Sequence, residues 1–181
     1  DAQGKLLWPS VIYAHSATVG CAKDLDGDGQ DEVIAGNAYY QLNVLRPNGR
    51  RLWVAATVTP EMTAVAAGSV DATRSPKVFC GMDGGDLFCF DAKGKQLWRV
   101  NLGDKVTRIA LVDVTGDGID EVVCAAQSAQ VVALTGAGKI LWQTPLPGGV
   151  YDLAATGTGK KARLAVSAGR GGLLILDGAG K

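Results

Sequence analysis

The sequence predicts an all-β protein, and three observations lead to this prediction. It contains 25 glycines among 181 residues. Its apolar residues occur in short runs of β-formers, without a sustained period of 3.6 residues. One unit also recurs four times: GKLLW ends at Trp8, GRRLW at Trp53, GKQLW at Trp98 and GKILW at Trp142. Repeats spaced by 45, 45 and 44 residues indicate an array of similar structural units.

Each unit contains four short strand-like segments, which in the second unit are TAVAAGSV, PKVFCG, DLFCFDA and GKQLW. Four strands in about 45 residues are typical of one blade of a β-propeller. Apolar residues stand at consecutive positions in LFCF, VVAL and LLIL, which requires that both faces of a sheet be covered, as in stacked blades. We therefore predict a single β-propeller domain over residues 1–181. Its predicted parts are a closing outer strand 1–8 and the blades 9–53, 54–98, 99–142 and 143–181.

The first and last repeats are complementary. The chain begins with an outermost strand, GKLLW, that has no blade of its own, and the last blade lacks that strand. Pairing of the two pieces within one molecule gives a closed four-bladed ring. Pairing across a homodimer gives an eight-bladed ring made of two half-rings. Both assemblies are open at this stage, and both remove sheet edges that invite aggregation.

The composition limits the functional classes. Eighteen basic and eighteen acidic residues cancel, so the net charge favours neither nucleic acid nor an anionic membrane surface as a partner. The apolar runs are too short for a membrane span. The four cysteines have no CxxC spacing, which argues against a zinc site. If Gly84-Gly85 is a two-residue turn, Cys80 and Cys89 lie opposite each other, and we predict buried free thiols in preference to a disulfide.

Two motifs resemble known propeller repeats. The hairpin FDAKGKQLW at 90–98, with VLRPNGRRLW and ALTGAGKILW, resembles the tryptophan-docking repeat of pyrroloquinoline-quinone-type (PQQ-like) propellers. The acidic segments 24-DLDGDGQDEV-33 and 113-DVTGDGIDEV-122 resemble the calcium loops of FG-GAP and VCBS repeats. The resemblance covers the whole chain and implies a propeller with calcium in its loops. FG-GAP propellers commonly have seven blades and PQQ-like ones eight, so four copies resemble half a ring, with the four-bladed ring of hemopexin-like domains as the rival.

The first acidic loop has the spacing of a calcium site. Alternate residues of a tight loop supply the six to eight oxygens that a hard divalent cation requires. Gly29 stands at the sixth position, where the loop must turn sharply, and the FG-GAP resemblance implies a carboxylate at the ninth. The predicted ligands are Asp24, Asp26, Asp28, the carbonyl of Gln30, and Glu32. Without a cation these carboxylates repel one another; the alternative is a solvated Asp/Gly turn without metal.

The second acidic loop is a weaker candidate. Its predicted ligands are Asp113, Thr115, Asp117, the carbonyl of Ile119, and Glu121. We expect weaker binding than at the first loop, because Thr115 is a neutral ligand at best. The corresponding segments of copies two and four are 69-SVDATRSPK-77, which keeps Asp71, and 155-ATGTGKKAR-163, which has no acid. We predict that both of these copies are metal-free.

The repeats diverge on one predicted face, which is formed by the turns between second and third strands and by the connections between blades. Divergent loops on a repeated scaffold are where we expect recognition of a protein or carbohydrate ligand, and tyrosines suit either one. Ordinary surface variation is the alternative. The residues in or near these segments are Tyr13, His15, Tyr39, Tyr40, Glu61, Asp83, Asp86, Tyr151 and Arg170. The four tryptophans are predicted to pack onto neighbouring blades rather than to serve as sugar platforms.

The spacing of residues identifies no catalytic group. His15 is the only histidine, and Arg108 and Asp152 are expected to line the channel or to pair with a neighbour. We therefore interpret the protein as a non-catalytic, calcium-binding module for protein or glycan recognition, in an extracellular, periplasmic or cell-surface location where free calcium is high. The alternatives are the propeller part of an enzyme, of polysaccharide lyase or quinoprotein type, and an excised or engineered repeat fragment without activity of its own.

Overall fold

The computed structural model describes residues 3–10, 16–57 and 61–181. Their strands form four antiparallel sheets in which consecutive strands pair. The first sheet consists of β1 Ala17–Lys23, β2 Glu32–Asn37, β3 Gln41–Leu45 and β4 Arg51–Ala56. The second consists of β5 Met62–Gly68, β6 Lys77–Met82, β7 Asp86–Asp91 and β8 Gln96–Asn101. The third consists of β9 Val106–Val112, β10 Glu121–Ala126, β11 Gln130–Leu134 and β12 Ile140–Pro145. The fourth consists of β13 Val150–Thr156, β14 Arg163–Ala168 and β15 Gly172–Asp177, with a short 3-10 helix at Gly159–Lys161.

The sheets are the blades of a β-propeller, as predicted. The innermost strands lie side by side in chain order, β1 against β5, β5 against β9, and β9 against β13. Each of three apolar clusters combines residues of two successive blades. Neighbouring residues on one strand therefore face different clusters: Phe79 packs toward blade 3 and Cys80 toward blade 1, and both are fully buried. This two-sided burial is the reason for the consecutive apolar positions.

The blade boundaries differ slightly from those predicted. The fourth strand of each complete blade continues past its tryptophan, to Ala56, Asn101 and Pro145. The predicted boundaries at 53, 98 and 142 therefore fall inside β4, β8 and β12. A tryptophan is a visible marker in sequence, whereas the three strand residues that follow it carry no common motif.

The ends of the array do not meet in this structure. Blade 4 has three strands, and residues 4–10 form no strand. The side chains of Leu6 and Leu7 are 74% and 68% exposed. Among the described residues β1 does not pack against β13 as the successive innermost strands do. Within the described part of the predicted outer strand 1–8, no residue pairs with the edge of β15, and the four described blades form an open array.

Each tryptophan packs onto the hairpin of the following blade, which confirms the predicted packing role. The indole N–H of Trp53 donates to the carbonyl of Ala92 at 2.9 Å, and the ring lies against Gly94. A Cβ at Gly94 would come within 2.8 Å of the ring, and its φ of +85° also favours glycine. The same donation recurs at 2.7, 2.9 and 3.0 Å in three other pairs. These pairs are Trp8–Pro47, Trp98–Gly136 and Trp142–Gly178.

Cys80 and Cys89 are buried free thiols, as predicted, but their expected opposition across the hairpin is wrong. Cys80 pairs with Phe88 and Cys89 with Phe79. The hairpin is centred on one residue rather than between Gly84 and Gly85, which shifts the register by one position and puts the two thiols on opposite faces. Burial raises the pKa of the Cys21 thiol to about 11 and that of Cys89 to about 12, so both remain protonated at neutral pH.

Candidate functional site

The first acidic loop joins β1 to β2 and is ordered by its own carboxylates. Asp24 accepts the backbone N–H of Gly27 at 2.7 Å and that of Gly29 at 3.0 Å. Both glycines have a positive φ, +81° and +84°, a conformation that costs glycine little. Asp28 accepts the N–H of Gln30 at 2.8 Å. The loop is therefore held tight by backbone hydrogen bonds to the carboxylates at its first and fifth positions, Asp24 and Asp28.

Three predicted ligands converge in this loop. Carboxylate oxygens of Asp24, Asp26 and Asp28 all lie within 4.8 Å of one another, a spacing that one hard cation can bridge. Asp26 accepts none of the backbone hydrogen bonds that order the loop. Its Oδ2 lies 3.5 Å from the Arg46 guanidinium, and both side chains of this ion pair are partly exposed. The side chain of Asp26 is thus the one that a bound cation would engage without disturbing the loop.

Glu32 lies at the start of β2 beneath the loop and is fully buried. Its Oε2 accepts the N–H of Leu25 at 2.9 Å, whereas its Oε1 is buried without a hydrogen-bond partner among the described residues. An unsatisfied buried carboxylate oxygen is costly. Glu32 is not part of the cluster in which the three aspartate oxygens lie within 4.8 Å of one another. Its unpaired Oε1 is nevertheless the type of oxygen ligand that a cation site uses.

The second acidic loop, between β9 and β10, repeats this hydrogen-bond frame. Asp113 accepts the N–H of Gly116 at 2.5 Å and that of Gly118 at 2.9 Å, and Asp117 accepts that of Ile119 at 2.9 Å. Glu121 accepts that of Val114 at 2.9 Å. The difference is at the third position, which is occupied by threonine.

Without a third aspartate, the second loop brings no three acidic groups together among the described residues. The backbone N–H of Gly116 holds the pKa of Asp113 below its usual value, and burial raises the pKa of Glu121. Asp113 therefore acts mainly as the organiser of the loop. A cation here would have fewer anionic ligands than in the first loop, which accords with the weaker binding predicted for it.

One register position distinguishes the four loops. The residue opposite the end of the first strand is Glu32 in blade 1 and Glu121 in blade 3, but Lys77 in blade 2 and Arg163 in blade 4. The two loops with clustered acids thus carry a glutamate at this position. The two loops that lack them carry a cationic side chain.

Lys77 supplies blade 2 with a positive charge of its own. Its ammonium forms an ion pair with Asp71 and is mostly buried, with 11% of its side chain exposed. Asp71 also accepts the hydroxyl of Thr73 at 2.5 Å, and the Lys77 ammonium lowers the pKa of the Asp71 carboxyl. This loop therefore contains a positive charge of its own, whereas the two acidic loops contain no cationic side chain. Sequence reasoning missed this role, although Lys77 was visible at the ninth position of SVDATRSPK.

In blade 4 the Arg163 guanidinium forms hydrogen bonds to the backbone of its own loop. It donates to the carbonyl of Ala162 at 2.7 Å and to that of Lys160 at 3.1 Å. Backbone carbonyls are the groups that a calcium ion uses in addition to carboxylates. That both of these loops are metal-free remains a prediction.

On the variable face, two tyrosines are exposed next to each other. Tyr39 and Tyr40 follow β2, are 53% and 42% exposed, and their rings meet edge to face at 6.3 Å. Tyr40 has a φ of +61°, and the Asn37 side chain accepts the N–H of Tyr39 at 2.9 Å. Tyr151, on β13, is 66% exposed. Tyr13 and His15 lie outside the described residues.

Two acidic residues of this face, Asp83 and Asp86, are engaged in ion pairs. Asp86 is buried and accepts two hydrogen bonds from the Arg99 guanidinium, at 2.9 and 2.6 Å. Asp83 pairs with Lys105 at 3.0 Å. Asp86 therefore anchors the second hairpin, and Asp83 ties that hairpin to the connection into blade 3.

Other predicted residues of the variable face have backbone or surface roles. The carbonyl of Glu61 accepts the N–H of Asp83 at 3.0 Å, and Arg170 lies exposed in the turn before β15. Arg108 and Asp152 pair at 2.6 Å across the innermost strands of blades 3 and 4. This confirms the pairing with a neighbour that was one of the two expectations for them.

Residues 1–84 and 82–146 match the family described as the lambda-carrageenase β-propeller domain. The chain belongs to this family. The lambda-carrageenase β-propeller family accounts for blades 1 to 3, and the fourth blade continues the same repeat in the structure. No curated protein sequence matches the chain.

Solved structures share the fold at low sequence identity. BBS1N, in complex with ARL6DN, is 16% identical with a TM-score of 0.76, and the alignment covers 94% of this chain and 55% of that one. The chain thus spans about half the length of that structure. The computationally designed Ika4 protein is 16% identical with a TM-score of 0.76, covering 96% of this chain and 98% of that one. The V. cholerae biofilm matrix protein Bap1 is 19% identical with a TM-score of 0.71, covering 90% and 27%.

Within the parts of the chain that the structure describes, no helix is long and apolar enough to cross a bilayer.

Proposed function

We propose that the protein is a non-catalytic, calcium-binding β-propeller module that recognises a protein or a glycan on its variable face. The observation that carries the calcium proposal is the register position of Glu32, Lys77, Glu121 and Arg163. Where this position is cationic, the loop has at most one acid. Where it is a glutamate, the loop concentrates carboxylates and contains no cationic side chain of its own; in blade 1, Arg46 from outside the loop lies 3.5 Å from Asp26.

The proposed calcium ligands are those predicted from the sequence. Asp24, Asp26, Asp28, the Gln30 carbonyl and Glu32 hold the ion in blade 1. Asp113, Thr115, Asp117, the Ile119 carbonyl and Glu121 hold it more weakly in blade 3. The ion supplies the counter-charge that relieves repulsion among these oxygens. Loops of this kind bind at the calcium concentrations found outside the cytoplasm, which supports an extracellular, periplasmic or cell-surface location.

Calcium is expected to raise the stability of the wild-type chain. A ligand that binds only the folded state at ten times its Kd stabilises it by about 1.4 kcal/mol. Asp26→Asn should remove most of this gain in stability, because it takes one carboxylate ligand away from the proposed calcium site. It should leave the metal-free loop intact, because Asp26 accepts none of the backbone hydrogen bonds that order the loop. Thr115→Asp should increase it, because the third position of the second loop then carries an acid.

Urea unfolding in calcium and in EDTA measures these gains, and calorimetric titration gives the number of ions bound. Magnesium at the same ionic strength is the control for charge screening. Equal unfolding midpoints of the wild type in calcium and in EDTA would contradict the proposal.

The recognition proposal rests on the exposed tyrosine pair and on the comparisons. Tyr39 and Tyr40 offer apolar rings with polar tips, which suit a sugar or a peptide. The family is named for lambda-carrageenase, and BBS1N was solved in complex with a protein, ARL6DN. Both a carbohydrate and a protein ligand are therefore proposed for this chain. We also propose a homodimer that completes an eight-bladed ring.

The alternatives are an enzyme part, of polysaccharide lyase or quinoprotein type, and an excised or engineered fragment without activity. The matched family is described as a propeller domain, which favours the binding module. For the lyase alternative the sequence offers His15, Lys105 and Tyr151. His15 lies outside the described residues, Lys105 pairs with Asp83, and Tyr151 lies at the surface.

Affinity electrophoresis in lambda-carrageenan and in pectin tests glycan recognition. We expect retardation of the wild type in at least one polysaccharide, and its loss in the Tyr39→Ala/Tyr40→Ala variant. Leu97→Ala, which truncates an exposed apolar side chain on the fourth strand of blade 2, is the control. Retention without new sugar ends supports the module, whereas ultraviolet absorption from unsaturated ends would support the lyase. Unretarded wild-type protein in both polysaccharides would remove these glycans and leave a protein ligand.

A further inference from the structure

A polar cavity lies between blades 1, 2 and 3, at the end of the strands that carries the acidic loops. It is lined by the end of β1, by the end of β5 with the loop that follows it, and by part of the second acidic loop. Its volume is about 350 Å³, a size at which proteins bind small molecules. The exposed tyrosine pair follows β2 at the opposite end of the strands, so this cavity is a separate candidate site.

Three charged side chains of the cavity have no partner. Lys23, Arg74 and Asp120 form no ion pair and no side-chain hydrogen bond with any residue that the structure describes. Asp71 is the remaining charged residue of the lining, and the Lys77 ammonium already neutralises it. The cavity is therefore lined by two cations and one carboxylate that a ligand could engage, and each comes from a different blade.

Arg74 has a backbone conformation that the repeat otherwise gives to glycine. Its φ is +53°, and its N–H donates to the carbonyl of Asp71 at 3.0 Å. Arg74 stands three residues before Lys77, as Gly29 and Gly118 stand three residues before the glutamates at the same register position, and their φ angles are +84° and +83°. This conformation is unfavourable for a residue with a Cβ. Strained residues cluster at binding and catalytic sites, and Arg74 lies in the wall of this cavity.

The position of Lys23 differs between blades in a way that suits a cavity. Lys23 pairs with Glu32 as Gly68 pairs with Lys77, so Gly68 is its equivalent in blade 2. A Cβ at Gly68 would lie 2.6 Å from the side chain of Leu111, which is another lining residue. Blade 1 thus supplies a cation at this position, whereas blade 2 supplies none and packs closely against blade 3.

We propose that this cavity binds a small dicarboxylate that also carries an amino group, the chemical class of the acidic amino acids. The charges of such a ligand are the complement of the lining: its carboxylates pair with Lys23 and Arg74, and its ammonium pairs with Asp120. The guanidinium offers a planar fork of donors that matches a carboxylate in two hydrogen bonds. Lys23 and Arg74 are exposed, so a ligand held at three points is favoured over a single inorganic anion, whose attraction salt would screen.

Amide NMR titration of the 181-residue chain with L-glutamate and L-aspartate tests this proposal. We expect saturable shifts of the signals of residues 67–74 and 118–120. Glutarate, which lacks the amino group, and L-glutamine, which lacks one carboxylate, should bind at least about tenfold more weakly, since each loses one charged contact. The absence of saturable shifts with both amino acids would overturn the site, and equal affinity for glutarate would overturn the ligand class.

Arg74→Gly separates binding from folding, because glycine is the residue that the repeat has in this conformation. The variant should unfold at a urea midpoint close to that of the wild type, and its affinity for glutamate should fall by about tenfold or more. Asp120→Asn should bring the affinities for glutamate and glutarate close together. Lys93→Ala removes an exposed cation in the hairpin between β7 and β8 and should bind as the wild type does.

Undiminished affinity of Arg74→Gly, or an equal loss in Lys93→Ala, would contradict the assigned site. All titrations are made in EDTA and without polysaccharide. Their failure is therefore separate from failure of the proposed calcium binding and glycan or protein recognition.

Discussion

Replacing Trp98 with alanine should destabilise the protein by about 3 kcal/mol, in the range for truncating a packed aromatic side chain. Trp98 joins blades 2 and 3: its indole donates to Gly136, its ring lies against Gly138, and it contacts Phe79 at 5.9 Å between ring centroids. Alanine removes all three contacts and opens a gap beside a glycine that cannot fill it. The measurement is the free energy of unfolding by urea, with the m-value checked for a change in cooperativity.

Two further variants separate the contributions of this tryptophan. Trp98→Phe keeps an aromatic ring and loses the hydrogen bond, so its cost should be nearer the value of one net hydrogen bond, about 1 kcal/mol. Trp8→Ala should cost less than Trp98→Ala, because residues 4–10 form no strand in this structure. Equal losses for Trp8→Ala and Trp98→Ala would show that the docking contact alone, without the strand that carries it, sets the energy.

Lys77→Glu should also cost about 3 kcal/mol, because it replaces a buried positive partner by a carboxylate next to Asp71. Lys77→Met, which removes the charge and keeps the length of the side chain, should cost about 1–2 kcal/mol. The smaller value reflects the 37% exposure of the Asp71 side chain, which lets water screen an unpaired charge. Urea unfolding at pH 7 measures both.

The pH dependence of this effect has a definite sign. The pKa of Asp71 is lowered in the folded state by Lys77, so the ion pair contributes stability above the unfolded pKa of an aspartate and loses it as the pH falls through the folded pKa. The difference between the wild type and Lys77→Glu should therefore shrink toward acidic pH. The double variant Asp71→Asn/Lys77→Met, which removes both charges, should be more stable than Lys77→Glu at neutral pH. A difference that is constant with pH would show that Lys77 acts through packing of its methylene groups.

Most of the architecture followed from repetition in the sequence. Four tryptophans in register set the number of blades, and consecutive apolar residues such as those of LFCF indicated burial on both faces. Local details were less accessible. The register of the second hairpin depends on its turn type, and a one-residue shift there separated Cys80 from Cys89.

For the candidate site, the acidic loops were recognised from the spacing of aspartate and glycine. The role of Lys77 was missed because a lysine at the end of a polar loop is usually solvated. Its ion pair is visible only when β6 places it opposite Gly68 and buries it beside Asp71. Likewise Asp86, a candidate for recognition from its position in a variable turn, is buried by its pairing with Arg99. Burial of a charged side chain depends on partners that sequence spacing does not reveal.

The direction of tryptophan docking has a consequence for synthesis on the ribosome. Every indole donates to a carbonyl 36 to 39 residues further along the chain. A tryptophan can therefore form its docking contact only after most of the next blade has been translated. Folding of the nascent chain is then vectorial, since each newly synthesised blade provides the hairpin on which the tryptophan of the preceding blade docks. A pause in translation within a repeat would leave one indole without its docking hairpin and one blade face exposed, whatever the number of blades already synthesised.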